Sequence, residues 1–341
     1  MTTSPHPEPS APPTAADAKT YASLNAQLND PTVPLAQRFR ALFTLKSLNT
    51  PRSVEIIARG FADDSALLKH ELAYVLGQMR NPCALPALVS VLETLEEDPM
   101  VRHEAAEAMG AIGLEESLPI LTQYRDNDAS RAVRETCVLA IEKIIHDNAQ
   151  KSCASSAPSA GGKTTEQSEA SPYTSVDPAP AVDEKKTTAE LRDMLLNAGL
   201  SLFKRYRAMF ALRNRGDVES VLALAEGLED DSALFRHEIG YIFGQMQHPA
   251  SVPALIKCLS NTVEEGMVRH ECAEALGSIA EPECLEALKL FVNDPERVVR
   301  ESCIVGLDMY EHETSGAFQY ADGLIKPLIM SRNSVGLDHV M

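Results

Sequence analysis

The two halves of this 341-residue chain repeat each other, and that limits its fold more than any other feature. Gln37-Arg38-Phe39-Arg40-Ala41 matches Lys204-Arg205-Tyr206-Arg207-Ala208, and Asp63-Asp64-Ser65-Ala66-Leu67-Leu68-Lys69-His70-Glu71 matches Asp230-Asp231-Ser232-Ala233-Leu234-Phe235-Arg236-His237-Glu238. His70 and His237 lie 167 positions apart, as do His103 and His270, so the copies keep one register. Each half divides again, because Val101-Arg102-His103-Glu104-Ala105 answers Leu68-Lys69-His70-Glu71-Leu72 at a spacing of 33. A period of that size marks stacked helical pairs, which bury their apolar faces only against neighbouring repeats.

Within each unit the apolar residues fall at helical spacing, as at Val101, Ala105, Ala108 and Met109, with Gly110 placed for a close helix approach or a helix end. Asn81-Pro82 and His248-Pro249 interrupt the preceding helices and open short second helices near 84–95 and 251–259. The first helices are expected at 36–48, 66–80, 100–112 and 131–145, and again at 203–215, 233–247, 267–280 and 297–311. The chain has 44% hydrophobic residues, only 5% aromatic and no Trp, a mixture that suits helices packed through Leu, Ala, Val and Ile. The expected fold is all-α, a HEAT-like helical-repeat solenoid in two four-repeat arms related by internal duplication. The arms are expected at 35–147 and 188–315, after a disordered tail and lead-in over 1–34 and before a tail over 316–341. Between them 148–187 is rich in Ser, Ala, Pro, Gly and Thr and reads as a flexible linker.

The formal net charge of −18 opposes nucleic-acid binding, which needs Lys and Arg to displace counterions from phosphates. It favours a cationic partner, although solubility alone explains an acidic surface as well. No signal peptide or membrane span is visible, so a soluble cytoplasmic protein is expected, with nuclear presence open. The seven cysteines form no CxxC and read as reduced core residues.

When the first helices of each half are aligned, one position holds Phe39-Arg40, His70-Glu71, His103-Glu104 and Glu135-Thr136, and then Tyr206-Arg207, His237-Glu238, His270-Glu271 and Glu301-Ser302. Only the two middle repeats of each half carry His-Glu. A dipeptide needed for packing would recur in the outer repeats, so the restriction points to a task at the centre of each arm. Helices in contact lie about 8–10 Å apart, close enough for inward-reaching side chains of two neighbours to meet. Neutral imidazole with carboxylate suits zinc, manganese or iron, and two His with one or two carboxylates suits non-haem iron in oxygen chemistry. One cluster per arm, with the arms face to face, brings two metals together.

Helix geometry places further candidates beside the pairs. Glu107 and Glu274 lie one turn after His103 and His270, where a carboxylate orients an imidazole, receives a substrate amine, or is merely solvated. Tyr74 and Tyr241 hold the corresponding place after His70 and His237 and are expected to pack. Met100 and Met267 either line a pocket or belong to the core. Gly77 and Gly244 admit a ligand close to backbone or serve helix packing.

The segments LLKHELAYVLGQM, MVRHEAAEAMGAIG, LFRHEIGYIFGQM and MVRHECAEALGSIA resemble the four His-Glu segments of the deoxyhypusine hydroxylase family, a likeness covering roughly 35–145 and 201–312. The resemblance implies O2-dependent hydroxylation of deoxyhypusine, the aminobutyl-lysine side chain of eukaryotic translation initiation factor 5A, at two iron ions forming a non-haem diiron centre. It assigns iron to His70, His103 and Glu104 in one arm and to His237, His270 and Glu271 in the other. Glu71 and Glu238 would hold substrate amines or serve as additional metal ligands. Acidic clusters at Asp63-Asp64, Glu96-Glu97-Asp98, Asp230-Asp231 and Glu264-Glu265 form a rim for a basic partner or simply solvated turns. Three rivals are a non-catalytic HEAT-repeat scaffold with structural metal, a bilin-attaching lyase of HEAT type, and a zinc hydrolase. The lyase gives no reason for the His-Glu restriction, and the hydrolase lacks an HExxH helix.

Overall fold

The 33-residue period resolves into helix pairs in a computed structural model that describes residues 15–156, 171–182 and 185–316. The N-terminal arm contains α1 (Ala15–Asn29), α2 (Leu35–Leu48), α3 (Pro51–Arg59), α4 (Ala66–Met79), α5 (Leu85–Glu93), α6 (Pro99–Ile112), α7 (Leu118–Asn127) and α8 (Arg131–Ser156). The C-terminal arm repeats them as α9 (Thr188–Leu196), α10 (Leu202–Arg215), α11 (Val218–Glu226), α12 (Ala233–Met246), α13 (Val252–Ser260), α14 (Gly266–Ile279), α15 (Pro282–Phe291) and α16 (Arg297–Ser315). Among the described residues there is no strand. Odd-numbered helices form the outer layer of each arm and even-numbered helices the inner layer.

Local chemistry sets the helix boundaries. Ser65 and Ser232 each accept a backbone N–H three residues on and so cap α4 and α12, while Pro51, Pro99 and Pro282 open helices at a position where a missing N–H costs nothing. Helices α6 and α10 end on left-handed Gly113 and Gly216, whereas α2, α4, α12 and α14 make the same turn with Asn49, Arg80, Gln247 and Ala280. Asn81 and His248 accept the N–H groups of Cys83 and Ala250 and so start the turns before α5 and α13.

Three sequence expectations need revision. The lead-in 1–34 contains α1, whose Leu24 and Leu28 are fully buried against the first inner helices, so each repeat runs outer helix then inner helix; residues 1–14 lie outside the described part, as do 317–341 of the expected C-terminal tail. The stretch 148–187 is not uniformly a tether, because α8 extends to Ser156 and residues 171–182 lie packed between the arms. Cys83 is exposed, since it sits in the turn after Pro82 and not on an inner face, whereas Cys137, Cys258, Cys272, Cys284 and Cys303 are buried free thiols.

Inner helices approach closely because small residues face each other. A Cβ on Gly77 would stand 2.7 Å from the Cα of Ala108, and one on Gly244 would stand 3.3 Å from that of Ala275, so α4 packs tightly on α6 and α12 on α14. Arginines placed one residue before the aligned His-Glu position tie the layers together. Arg38, Arg102, Arg205 and Arg269 donate from Nε to the carbonyls of Leu28, Leu92, Leu195 and Leu259, and pair with Asp63, Asp128, Asp230 and Asp294. Each guanidinium thus satisfies the C-terminal end of the preceding outer helix and fixes the following loop.

Two apolar cores result, one per arm, and each borrows from the other arm. Val305 of α16 belongs to the N-terminal core and Leu139 of α8 to the C-terminal core. The exchange is mirrored in polar contacts: Ser65 donates to Glu301 at 2.6 Å and Ser232 to Glu135 at 2.5 Å, while Arg297 and Arg131 donate to the carbonyls of Asp64 and Asp231. The last inner helix of each arm therefore closes onto the first inner helices of the other, around an approximate twofold axis.

Candidate metal centre

Inner helices α4, α6, α12 and α14 each turn their His-Glu pair toward that axis. The ring centroids of His70 and His270, from opposite arms, are 5.0 Å apart, and those of His103 and His237 are 5.2 Å apart. Within the arms the separations are 5.6 Å for His70 and His103 and 5.2 Å for His237 and His270. All four histidines are buried, with His103 and His270 wholly so. Among the described residues, ligand-type atoms of His70, His103 and Glu104 lie within 4.8 Å of one another, and so do those of His70, His237, His270 and Glu271. His70 stands within reach of both groups, so the clusters are adjoining and share the interface between the arms.

None of the eight ring nitrogens of these histidines has a hydrogen-bond partner, and Glu238 Oε1 is also unsatisfied. Leaving one buried polar group unmet costs about 1–3 kcal/mol, so eight would cost on the order of 10 kcal/mol, as much as the whole stability of a typical domain. Nearest are carboxylates that approach without hydrogen-bonding geometry: His70 Nε2 is 3.4 Å from Glu104 Oε2, and His237 Nε2 is 3.3 Å from Glu271 Oε1. Atoms arranged in this way converge on points between them.

Protonation follows from burial. Burial lowers the proton affinity of His70 and drives that of His103, His237 and His270 well below the usual value, so all four rings are neutral and have lone pairs to offer. Burial also pushes Glu71 and Glu104 up to about 8 and Glu274 up to about 7, and holds Glu107, Glu238 and Glu271 well above the carboxylate range. Two ionised carboxylates about 4 Å apart repel by about 4 kcal/mol at an effective dielectric near 20. Neutral imidazoles with carboxylates that resist ionising alone form a donor set that fits divalent or trivalent cations.

Around this centre is a cavity of about 230 Å³. Glu71, Glu107, Glu238, Glu274 and Gly244 line it; Met100, Met267 and Gly77 do not, being placed in helix packing. Glu71 and Glu238 join neither ligand group. Glu274 approaches His270 Nδ1 at 3.7 Å and accepts a hydrogen bond from Ser302 at 3.1 Å. Tyr74 and Tyr241 do more than pack, since their hydroxyls meet across the arms at 3.0 Å. Sequence reasoning missed Phe43, Met309, Val176 and Pro178 in the wall, none of which belongs to the His-Glu repeat. Reading Phe43 and Met309 would have required knowing how the arms meet.

HEAT repeats are matched over residues 54–142 and 221–308, and a PBS lyase HEAT-like repeat over 204–230. The deoxyhypusine hydroxylase of Homo sapiens is 55% identical over 302 residues, covering 89% of this chain and 95% of that protein. The chain belongs to the deoxyhypusine hydroxylase family. The deoxyhypusine hydroxylase of Drosophila melanogaster is 50% identical over 304 residues, 89% of this chain and 96% of its own length. A solved structure of human deoxyhypusine hydroxylase in complex with glycerol superposes with a TM-score of 0.78 at 53% identity, covering 86% of this chain and 96% of that one. Membership in the deoxyhypusine hydroxylase family makes this an oxidoreductase and removes the lyase and zinc-hydrolase readings. No helix among the described residues is long and apolar enough to cross a membrane.

Proposed function

We propose that this chain hydroxylates the deoxyhypusine side chain of eukaryotic translation initiation factor 5A, consuming O2 at two iron ions. His70, His103 and Glu104 would hold one iron, and His237, His270 and Glu271 the other. The observation that carries this reading is the convergence of four buried histidines whose ring nitrogens have no hydrogen-bond partner, one nitrogen of each ring being free to bind metal. When bound, two irons would supply the activation of O2 needed to insert one oxygen atom into an unactivated C–H bond, the second leaving as water with two electrons and two protons from an external reductant.

The chain's own residues do the rest. Glu71 and Glu238 line the cavity without belonging to either ligand group, which suits them to holding substrate ammonium groups as ion pairs. An ammonium entering beside them favours their ionised form and offsets the burial that otherwise keeps protons on them. Phe43 and Met309 give the aliphatic arm an apolar wall and exclude water from it. The partner is a protein presenting a basic loop to an acidic molecule of net charge −18. Free thiols at every described cysteine suit work in the reducing cytoplasm.

Elemental analysis with a visible absorption spectrum tests the metal assignment. About two irons per chain with a charge-transfer band is expected, followed by conversion of a deoxyhypusine-bearing factor. Zinc, or no metal, in freshly prepared iron-supplied protein would instead overturn the assignment of two irons to these residues.

A further inference from the structure

An approximate twofold axis through the metal centre implies two equivalent ways into it, one on each side. The side formed by Glu274, Ser278 and Met309 corresponds, through the duplication, to the side formed by Glu107, Ala111 and Lys143. The first opens into the cavity of about 230 Å³, whereas the second retains only about 10 Å³. A space of about 10–15 Å³ accommodates one water and nothing larger. Val176 and Pro178 line both spaces, so the segment 175–182 is the partition between them.

Three side chains hold this strap; Gln78 and Arg207 recur in the other half as Gln245 and Arg40, and only Arg213 has diverged, to Lys46. Gln78 grips it as a strand neighbour would, accepting from the Val176 N–H at 2.8 Å and donating to the Val176 carbonyl at 3.2 Å. Arg213, wholly buried, forms a bidentate pair with Asp177 at 2.6 and 2.8 Å. Arg207 donates from Nε to the Pro180 carbonyl at 3.1 Å while its backbone carbonyl accepts from the Val182 N–H at 3.0 Å, and Ala179 is fully buried. Of their counterparts, Arg40 pairs with Asp308, Gln245 donates to Tyr241 and steadies the clasp itself by accepting from Arg213 at 2.8 Å, and the counterpart of Arg213 is Lys46, whose ammonium lies over the rings of Phe43 and Tyr74. A forked guanidinium stands where the strap must be clasped, and a lysine where there is no strap.

We propose that the strap closes one of two pseudo-equivalent entrances, so that substrate reaches the metal centre only from the side of Ser278 and Met309. The part concerning substrate rests on the hydroxylase reading above; the closure does not. On this assignment Glu274 stands in the substrate's path, while its copy Glu107 borders both spaces, beside Val176 and Pro178 of the strap.

Paired single-cysteine labelling tests both parts, in full-length protein carrying Cys83→Ser and Cys153→Ser to remove background. Ser278→Cys and Ala111→Cys are equivalent under the duplication, and each is reacted with a small methanethiosulfonate. Cys introduced at 278 should react at least tenfold faster than at 111, and adding Asp177→Ala with Pro178→Gly should bring the slow site to within about threefold of the fast one. Free deoxyhypusine, N-(4-aminobutyl)lysine, should protect position 278 and leave position 111 unchanged. Equal rates with the strap intact, or no acceleration when it is loosened, overturn the closure. Protection at 111 in place of 278, or at neither, overturns the one-sided route. Failure of iron-loaded wild-type protein to hydroxylate its protein substrate would defeat the hydroxylase reading while leaving the labelling asymmetry in place.

Discussion

At the scale of residues, the centre is held together by what it lacks. A buried imidazole normally spends one nitrogen as donor and one as acceptor, and here eight such nitrogens are unmatched. Substituting Ala for any one of His70, His103, His237 or His270 should lower iron from about two to one or fewer per chain and cut hydroxylation by at least about 100-fold, a loss of roughly 2.7 kcal/mol in transition-state stabilisation. Far-ultraviolet circular dichroism should change little, because the outer repeats keep their packing. Near-normal iron and turnover in two such variants would remove the assignment. The carboxylates give a second expectation, for metal-free protein. Burial raises Glu71 and Glu104 to about 8 and Glu274 to about 7 in the folded state. Below the unfolded value near 4.5 these groups are protonated in both states, so no penalty exists. Above it the unfolded chain ionises freely while the folded one resists, and stability is lost as pH rises through about 8. Below about 6.5 the four buried neutral histidines act in the opposite sense, so the window that decides is pH 6.5 to pH 8, where a thermal midpoint that stays flat or climbs in the metal-free protein would contradict this. The His-Glu positions were legible in the sequence because the duplication and the silent outer repeats form an internal control. Tyr74, Tyr241 and Phe43 were not, since their roles depend on contacts between arms that no periodicity encodes.

At the scale of elements, the helices were legible because apolar spacing, prolines and caps agree at almost every boundary. Helix α1 was the exception, since Ala15–Asn29 follows a Pro-rich start and only its match in rank to α9 reveals that a repeat begins there. The arginine ties went unread as well, because a charged residue beside a histidine looks like a solvated face until its aspartate arrives about 25 positions later. One helix end carries a testable strain. Ala280 terminates α14 at φ 56°, where its counterpart in the other arm is Gly113 at φ 77°. A side chain in the left-handed region costs about 1–2 kcal/mol, partly returned by the entropy that glycine loses on folding. Ala280→Gly should therefore stabilise the protein by about 0.5–1 kcal/mol, or about 1–3 °C in thermal midpoint for an arm of this size. A lower midpoint would mean that the Ala280 methyl contributes packing that outweighs the backbone.

At the scale of the whole molecule, repetition alone would give an open solenoid, and the closure around a twofold axis comes from the residues that replace His-Glu in the outermost repeats. Glu135 and Glu301 stand at the aligned position of the fourth repeats, where sequence reasoning registered only that His-Glu was missing. In the structure each reaches across to the serine that caps the opposite arm's first His-Glu helix, Glu301 to Ser65 and Glu135 to Ser232. The same dipeptide position thus supplies metal-type ligands in the middle repeats and a latch at the ends. The angle between the arms was illegible because these latches are long-range pairs, and neither partner announces the other. Each proposed iron takes its ligands from one arm, but His70 also converges on His237, His270 and Glu271 of the other, so metal retention is expected to depend on the latch more steeply than helicity does. A hydrogen bond to a charged group contributes about 1.5–3 kcal/mol, and two at separate ends of the molecule act nearly additively. The double variant Glu135→Ala, Glu301→Ala should hold iron at least tenfold more weakly in competition with a chelator, with each arm still helical. If the double variant keeps wild-type iron affinity, the shared apolar contacts of Leu139 and Val305 are enough to hold the two arms at the spacing the metal centre requires.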